Sequence, residues 1–358
     1  MRQRLATPFL PDPVARFLWC LLLVLVPACH SDGPDSPFKR YLNQLNLALP
    51  GAVPAVAPVL TAPRPALGQW QVPIAPSRVE GLDTSRLSGC AVQANIRKRQ
   101  TALGHFAKPS QRLFMALEFL QLVPACIRQL RADSDHAQAD RLEAARREIQ
   151  TQLPQRIFNA TLGSDEYRAF WLATPAASDF PHSDASTATS ALNTINRLTR
   201  RWLNGDYRVQ ILELELLLSA VAGGEGGQAL ARWSRQIDWL TATDRSIAQA
   251  LATAGSCSTR QRDAPSLRHI ERARSYFIDV IRPLTTGANA HYLSITAPVE
   301  ALETQLVRAL APRYRRWLTH RKQYTAALAR APAGHLKQLE KLLPQALACE
   351  IPAAVATH

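Results

Sequence analysis

Apolar residues recur every three or four positions along most of the chain after Leu82, a period typical of amphipathic helices. Residues 186–203 show this period most clearly, with polar residues between the members of one apolar stripe. The stripe contains Leu192, Ile195, Leu198 and Trp202. Similar runs continue towards the end of the chain. We therefore predict an all-α fold, with a single multi-helix body over residues 82–358.

Residues 207–221 are almost entirely apolar. The alternation within residues 209–216 also fits a strand, but the length of the run favours a helix. We predict that this helix is the central core helix. The glycine-rich residues 223–227 follow it; they lack the G-x-G-x-x-G order, and no strand is predicted before them. We interpret them as a hinge between helices rather than as a phosphate-binding loop.

Residues 90–126 read as two helices folded against each other. Residues 90–103 contain neither Pro nor Gly, and Gly104 follows at the position where a C-cap glycine is expected. Ser110 is predicted to cap the second helix, whose apolar residues recur at helical spacing. Pro124 should kink or end that helix just before Cys126.

Four cysteines remain for disulfide formation if the N-terminal segment described below is processed as we expect. In an antiparallel hairpin Cys90 lies opposite a residue near 123, so Cys126 is only about one helical turn, roughly 5 Å, further along. We therefore expect a Cys90–Cys126 disulfide, two buried free thiols being the alternative. We also favour Cys257–Cys349, which would tie the last helix to the body; the four cysteines allow three pairings.

The N-terminal residues have the composition of an export signal. Arginines precede the apolar stretch Phe17–Val26, whose ten residues fall short of the roughly 20 that span a bilayer. Pro-Ala then precedes Cys29, as in the lipobox of bacterial lipoproteins. We predict that residues 1–28 are removed and that Cys29 is diacylated. Ordinary signal-peptidase cleavage is the alternative, because Val26 and the following proline depart from the usual lipobox.

Residues 29–81 are predicted to form a tether. His30 follows the lipobox cysteine in place of the Asp that commonly retains lipoproteins in the inner membrane, so we expect the periplasmic leaflet of the outer membrane. A short helical run precedes Pro50–Pro76, in which seven of 27 residues are proline. This composition indicates an extended strap. Its apolar residues favour wrapping around the body over spacing it from the membrane.

The order of short motifs around the hairpin resembles a family of uncharacterised bacterial lipoproteins, known only as a domain of unknown function. The matching motifs are Gly89-Cys90, Arg99 with Leu103-Gly104, Pro109-Ser110 with Leu113, and Glu118 with Leu122 and Cys126. The family's Asn-Ser pair is replaced here by Gln100-Thr101, which puts in doubt any role carried by that pair. The resemblance implies a lipoprotein without an assigned activity.

Arg99 and Glu118 are charged residues of this motif set, and the hairpin places them across the two helices from each other. Counted from the turn centre, Arg99 lies opposite a residue near 114, and Glu118 is about one turn beyond. We predict a partly buried ion pair that braces the turn. The alternatives are that both side chains are solvated, or that the motif contacts a ligand. Arg99, Gly104, Ser110 and Glu118 are thus our candidate structural or ligand-binding residues.

The sequence contains no recognisable catalytic constellation. The nine histidines are scattered without metal-ligand spacing, and neither H-E-x-x-H nor G-x-S-x-G occurs. We therefore predict no catalytic residue, no metal and no cofactor.

The formal net charge of +14 favours anionic neighbours. The most basic stretch is Pro312–Tyr324, for which export makes nucleic acid a poor partner. Anionic lipid headgroups or glycan are better partners for this stretch. The interpretation that we favour over either is that the stretch forms a solvated helix face. Together these features predict a non-catalytic, periplasm-facing lipoprotein that acts in envelope binding or assembly. The alternative is a periplasmic enzyme acting on glycan or lipid, with an acid such as Glu118.

Overall fold

The computed structural model describes residues 33, 35–49, 70–172, 186–253 and 266–355, and these residues form helices without any strand. The helices are α1 (Ser36–Ala48), α2 (Val92–Gln100), α3 (Ala102–Phe106), α4 (Pro109–Ala132), α5 (His136–Ala160), α6 (Asp165–Leu172), α7 (Thr187–Leu203), α8 (Ile211–Val221), α9 (Glu225–Thr253), α10 (Leu267–Tyr276), α11 (Arg282–Gln305) and α12 (Pro312–Val355). Two 3₁₀ turns, Arg78–Gly81 and Thr84–Leu87, precede α2, and a π-helical turn, Phe277–Ile281, joins α10 to α11. The all-α prediction is confirmed for this part of the chain.

Several of the predicted features lie outside the described residues. They are the leader 1–28, Cys29, most of the proline-rich strap, Cys257 and the side chain of Cys349. Lipidation of Cys29 and the Cys257–Cys349 disulfide stay predictions.

Helix α4 is the element on which the N-terminal half is assembled. It packs along α5 as an antiparallel pair and also contacts α2. A disulfide joins Cys90, just before α2, to Cys126 in α4, with the two Cα atoms 5.3 Å apart. The predicted pairing of these cysteines is thus present. The helix continues through Pro124 to Ala132 rather than ending at the proline.

Helix α4 is also long and apolar enough to cross a membrane by length and composition. In this structure 56% of its most apolar window is buried inside the protein, including Leu113, Leu117 and Phe119. These contacts are those of a core helix.

The C-terminal half is built around α9, which packs against α11 and α12. Helix α1 lies on α10 and is held by a buried hydrogen-bonded chain. In this chain the Tyr41 hydroxyl lies 2.5 Å from Nε2 of His335, and Nδ1 of His335 lies 2.6 Å from a carboxylate oxygen of Asp244. The chain links α1, α9 and α12.

Helix α8 is not the central core helix predicted from its apolar sequence. It begins at Ile211, and only Leu214, Leu218 and Val221 are buried. Leu212 and Leu216 are 68% and 62% exposed. The prediction was wrong because α8 packs on α7, α6 and α4 through one stripe, so leucines on the opposite side of the helix remain at the surface.

Candidate functional site

A cavity of about 580 Å³ lies between the extended residues 71–76, the end of α2, the start of α4 and the C-terminal part of α5. The lining residues used below are Glu80, Arg99, Gly104, Arg112, Arg156 and Asn159. The cavity therefore gathers three guanidinium groups around one carboxylate.

Helix α5 holds the extended segment that forms one wall of the pocket. The side-chain amide of Asn159 bonds the backbone of Val72 twice: Nδ2 donates to the carbonyl oxygen at 2.8 Å, and Oδ1 accepts from the N–H at 2.7 Å. The amide of Gln152 donates to the carbonyl of Ala75 at 3.3 Å. At the start of the segment the ring of Trp70 is buried against Tyr314 and other aromatic residues of the core.

Arg99 is the most buried charged group of the pocket, with 6% of its surface exposed. Its Nη1 atom is buried without a hydrogen-bond partner, and its guanidinium lies 5.8 Å from the ring centroid of Phe119. Burial lowers the pKa of Arg99 to about 10, the like charge of Arg156 adds to this effect, and Glu80 opposes it. Arg99 is therefore charged at neutral pH, and its Nη1 has no hydrogen-bond partner in the described part of the chain.

Arg156 and Arg112 supply the other two positive charges. Arg156 is 8% exposed; its Nη2 donates to Gln152 at 2.6 Å, and its Nε is buried without a partner. Burial lowers the pKa of Arg156, and the like charge of Arg112 lowers it further, whereas the negative charge of Glu80 raises it. Arg112 is exposed at the mouth, where it donates to the carbonyl of His105 at 2.7 Å.

Glu80 does not neutralise these arginines by direct contact. One carboxylate oxygen accepts the backbone N–H of Ser77 at 3.0 Å, and the other faces the Ser77 hydroxyl at 3.3 Å, so the carboxylate caps a 3₁₀ turn. It forms no ion pair with an arginine among the residues that the structure describes. Counted over the described residues, the pocket thus retains an excess of two positive charges, three arginines against one glutamate.

The predicted ion pair between Arg99 and Glu118 is wrong. Glu118 instead accepts a hydrogen bond from Asn95 at 2.6 Å. Asn95 also donates to the carbonyl of Met115 at 3.0 Å. Glu118 therefore contacts Asn95, which lies one helical turn before Arg99 in α2. Arg99, at the end of α2, is directed into the pocket and towards α5 instead. Glu118 does not line the pocket.

Gly104 and Ser110 have roles other than the predicted caps. Gly104 lies inside α3, and a Cβ at this position would be 2.5 Å from the carbonyl oxygen of Arg99. A glycine is therefore required for α3 to fold closely against the end of α2 beside the pocket. Helix α4 has Lys108 as its N-cap, and the Ser110 hydroxyl donates to Glu215 at 2.6 Å instead, which ties α4 to α8.

The basic stretch Pro312–Tyr324 forms the start of α12. Arg313, Arg316 and His320 are exposed on this helix. Arg321 is fully buried: it pairs with Glu303 at 3.0 Å and lies between the rings of Trp171 and Trp317. The side chains of Arg313, Arg316 and His320 are exposed to solvent, and the choice between a solvated face and an anionic partner stays a prediction.

Within the described part of the chain, no group of three His, Cys, Asp or Glu side chains is placed to hold a metal ion. Two of the three pocket arginines, Arg112 and Arg156, were not identified from the sequence. A signal for Arg156 was present, because it falls on the apolar stripe of α5 with Ile149 and Leu153. An arginine on such a stripe is buried by the helix packing.

The described residues thus define an all-α protein with an arginine-lined pocket. Residues 38–351 match the family described as protein of unknown function (DUF3080), and the chain belongs to that family. No curated protein matches the chain, and neither does any solved structure.

Proposed function

We propose that the protein is a lipid-anchored lipoprotein of the bacterial outer membrane, facing the periplasm, which binds an anionic envelope component in the arginine pocket without catalysing a reaction. The lipobox at Cys29 and the export signal before it support the location. The observation that supports the binding role is Nη1 of Arg99, a buried donor without a hydrogen-bond partner in the described part of the chain.

A buried charge without a partner costs free energy in the ligand-free protein. Charged side chains that serve only stability are usually paired when they are buried, as Arg321 is with Glu303. Arg99 and Arg156 are not paired in this way, and both line a cavity. An anion in the cavity would supply the missing acceptors and offset the desolvation of both groups.

A binding role fits the pocket better than the alternative enzyme. A glycan- or lipid-cleaving reaction requires an acid or nucleophile beside the bound group. Glu118, the acid considered for that role, is hydrogen-bonded to Asn95 away from the cavity. Glu80 lines the cavity, but its carboxylate is engaged by Ser77.

The binding role can be tested by native mass spectrometry of the full-length protein purified from envelopes in detergent. We expect the wild type to retain a non-covalent anionic component that high salt releases unchanged. Arg99→Gln should retain at least about tenfold less, because it removes a charge-assisted donor. Arg97→Gln is the matched control, since Arg97 is exposed on the same helix. Equal retention by both variants would contradict the proposal.

The anchor has its own test. Replacement of Cys29 with Ser should abolish acylation and leave the protein in the soluble fraction or as an unprocessed precursor. Membrane fractionation with metabolic labelling by a fatty acid measures both outcomes. A Cys29→Ser protein that still fractionates with membranes at the processed size would refute lipidation at this residue.

A further inference from the structure

We infer that the arginine pocket is specific for a phosphate monoester group in its dianionic form. This inference rests on the binding role proposed above and adds the chemical class of the ligand.

The charge of the pocket matches a dianion. Three arginines and one glutamate leave an excess of two positive charges when His105 is counted as neutral. A phosphate monoester carries about −1.5 to −2 charges at neutral pH. A carboxylate or a phosphate diester carries one negative charge and would leave a guanidinium uncompensated. The charge therefore favours the monoester over these two groups.

The available donors also suit phosphate. Nη1 of Arg99 and Nε of Arg156 are buried donors without partners, and they come from two different helices. Guanidinium groups bind phosphate oxygens with charge-assisted hydrogen bonds and fixed geometry. Helix α4 begins at the pocket wall with Pro109, so the positive end of its macrodipole adds to the same field.

The size of the cavity shows that it has room for more than the phosphate group. Its volume of about 580 Å³ far exceeds that of one inorganic phosphate, which is close in size to a few water molecules. Val72, Ile74 and Met115 supply apolar surface beside the arginines. The group esterified to the phosphate would contact this surface. The phosphate could be presented by a soluble metabolite or by a lipid headgroup, which share this chemistry.

The test is titration calorimetry on the full-length protein in detergent micelles at constant ionic strength. The soluble ligands are glycerol 3-phosphate, dimethyl phosphate and acetate. The lipid ligands are phosphatidic acid and phosphatidylglycerol in mixed micelles. We expect glycerol 3-phosphate or phosphatidic acid to bind at least about tenfold more tightly than the singly charged ligand of the same arm. The arm that shows the selectivity identifies the source of the phosphate.

Variants separate a binding role from a structural role. Arg99→Met should raise the melting temperature of the ligand-free protein and abolish the shift caused by the phosphate ligand, because it replaces an unpaired buried charge by an apolar chain. Arg112→Gln, at the exposed mouth, should fold normally and weaken binding by about tenfold. Arg97→Met is the control and should change neither property.

The outcomes distinguish the inference from the proposed function. Equal affinity for monoester, diester and acetate would overturn the dianion specificity while leaving an anion-binding pocket. Absence of binding by every one of these anions would overturn both. A lower melting temperature for Arg99→Met with unchanged binding would show that Arg99 is structural and would also overturn the inference.

Discussion

The buried ion pair between Glu303 of α11 and Arg321 of α12 offers the sharpest stability prediction. Nη2 of Arg321 donates to both carboxylate oxygens of Glu303 at 3.0 Å, and the Tyr314 hydroxyl donates to the same carboxylate at 2.6 Å. Arg321 is 1% exposed. Burial lowers the pKa of Arg321, but its interactions with Tyr167, Glu303, Tyr314 and Tyr292 outweigh this and raise the pKa above its usual value.

Glu303→Gln would leave the guanidinium buried without a counter-charge. Breaking a buried pair in this way costs about 3–5 kcal/mol. This is a large part of a typical unfolding free energy of about 5–15 kcal/mol. Arg321→Met should cost a similar amount, because Glu303 then remains as the buried charge. The double variant Glu303→Gln with Arg321→Met removes both charges and should lose much less than the sum of the two single losses.

Urea denaturation followed by tryptophan fluorescence measures these differences, since Trp171 and Trp317 flank Arg321. Single losses below about 1 kcal/mol, or additive losses in the double variant, would refute this reasoning. Arg99 provides the contrast. Burial lowers its pKa to about 10, so the folded protein disfavours its charged form. Arg99→Met should therefore stabilise the ligand-free protein, whereas Arg321→Met destabilises it.

Three further predictions follow from local features. Replacing Cys90 and Cys126 by Ser should cost about 3–4 kcal/mol in urea denaturation, because the loop of 36 residues is no longer closed; an unchanged stability would contradict this. Gly104→Ala should lower the melting temperature and weaken anion binding, because its Cβ would be 2.5 Å from a carbonyl oxygen of α2. Gly287→Ala, in an open part of α11, should be neutral or stabilising. Burial raises the pKa of Tyr292 from 10.0 to about 12, so the folded state holds this proton more tightly than the unfolded state. Its contribution to stability is fully present below pH 10 and is lost as the pH rises to about 12, as urea denaturation across this range would show.

The hairpin could be predicted from the sequence because its determinants are local. Pro109 and the apolar spacing after it are sufficient to define α4, and the distance from the turn places Cys90 near Cys126. The pairing partner of Arg99 could not be obtained in this way. Its direction depends on residues 71–80 and on α5, and only the folded chain brings these together with the end of α2.

Helix α8 shows a second limit. An almost continuous apolar sequence predicts burial on all sides, but the structure covers only the stripe that contains Leu214 and Leu218. The apolar content therefore predicted correctly that these residues form a helix, but it predicted incorrectly that the helix is buried on all sides. The pocket has the opposite pattern: charged residues on otherwise apolar stripes, Arg99 and Arg156, are buried and face the cavity. In both cases the packing of neighbouring helices and segments determines which side chains are buried.

The anion-binding role of the pocket is tested most directly by a crystal structure of the protein soaked with tungstate, a dianion similar in shape to phosphate. We expect an anomalous peak in the cavity within hydrogen-bond distance of the guanidinium groups of Arg99 and Arg156. Peaks confined to exposed arginines such as Arg313 and Arg316, with the cavity empty, would contradict it.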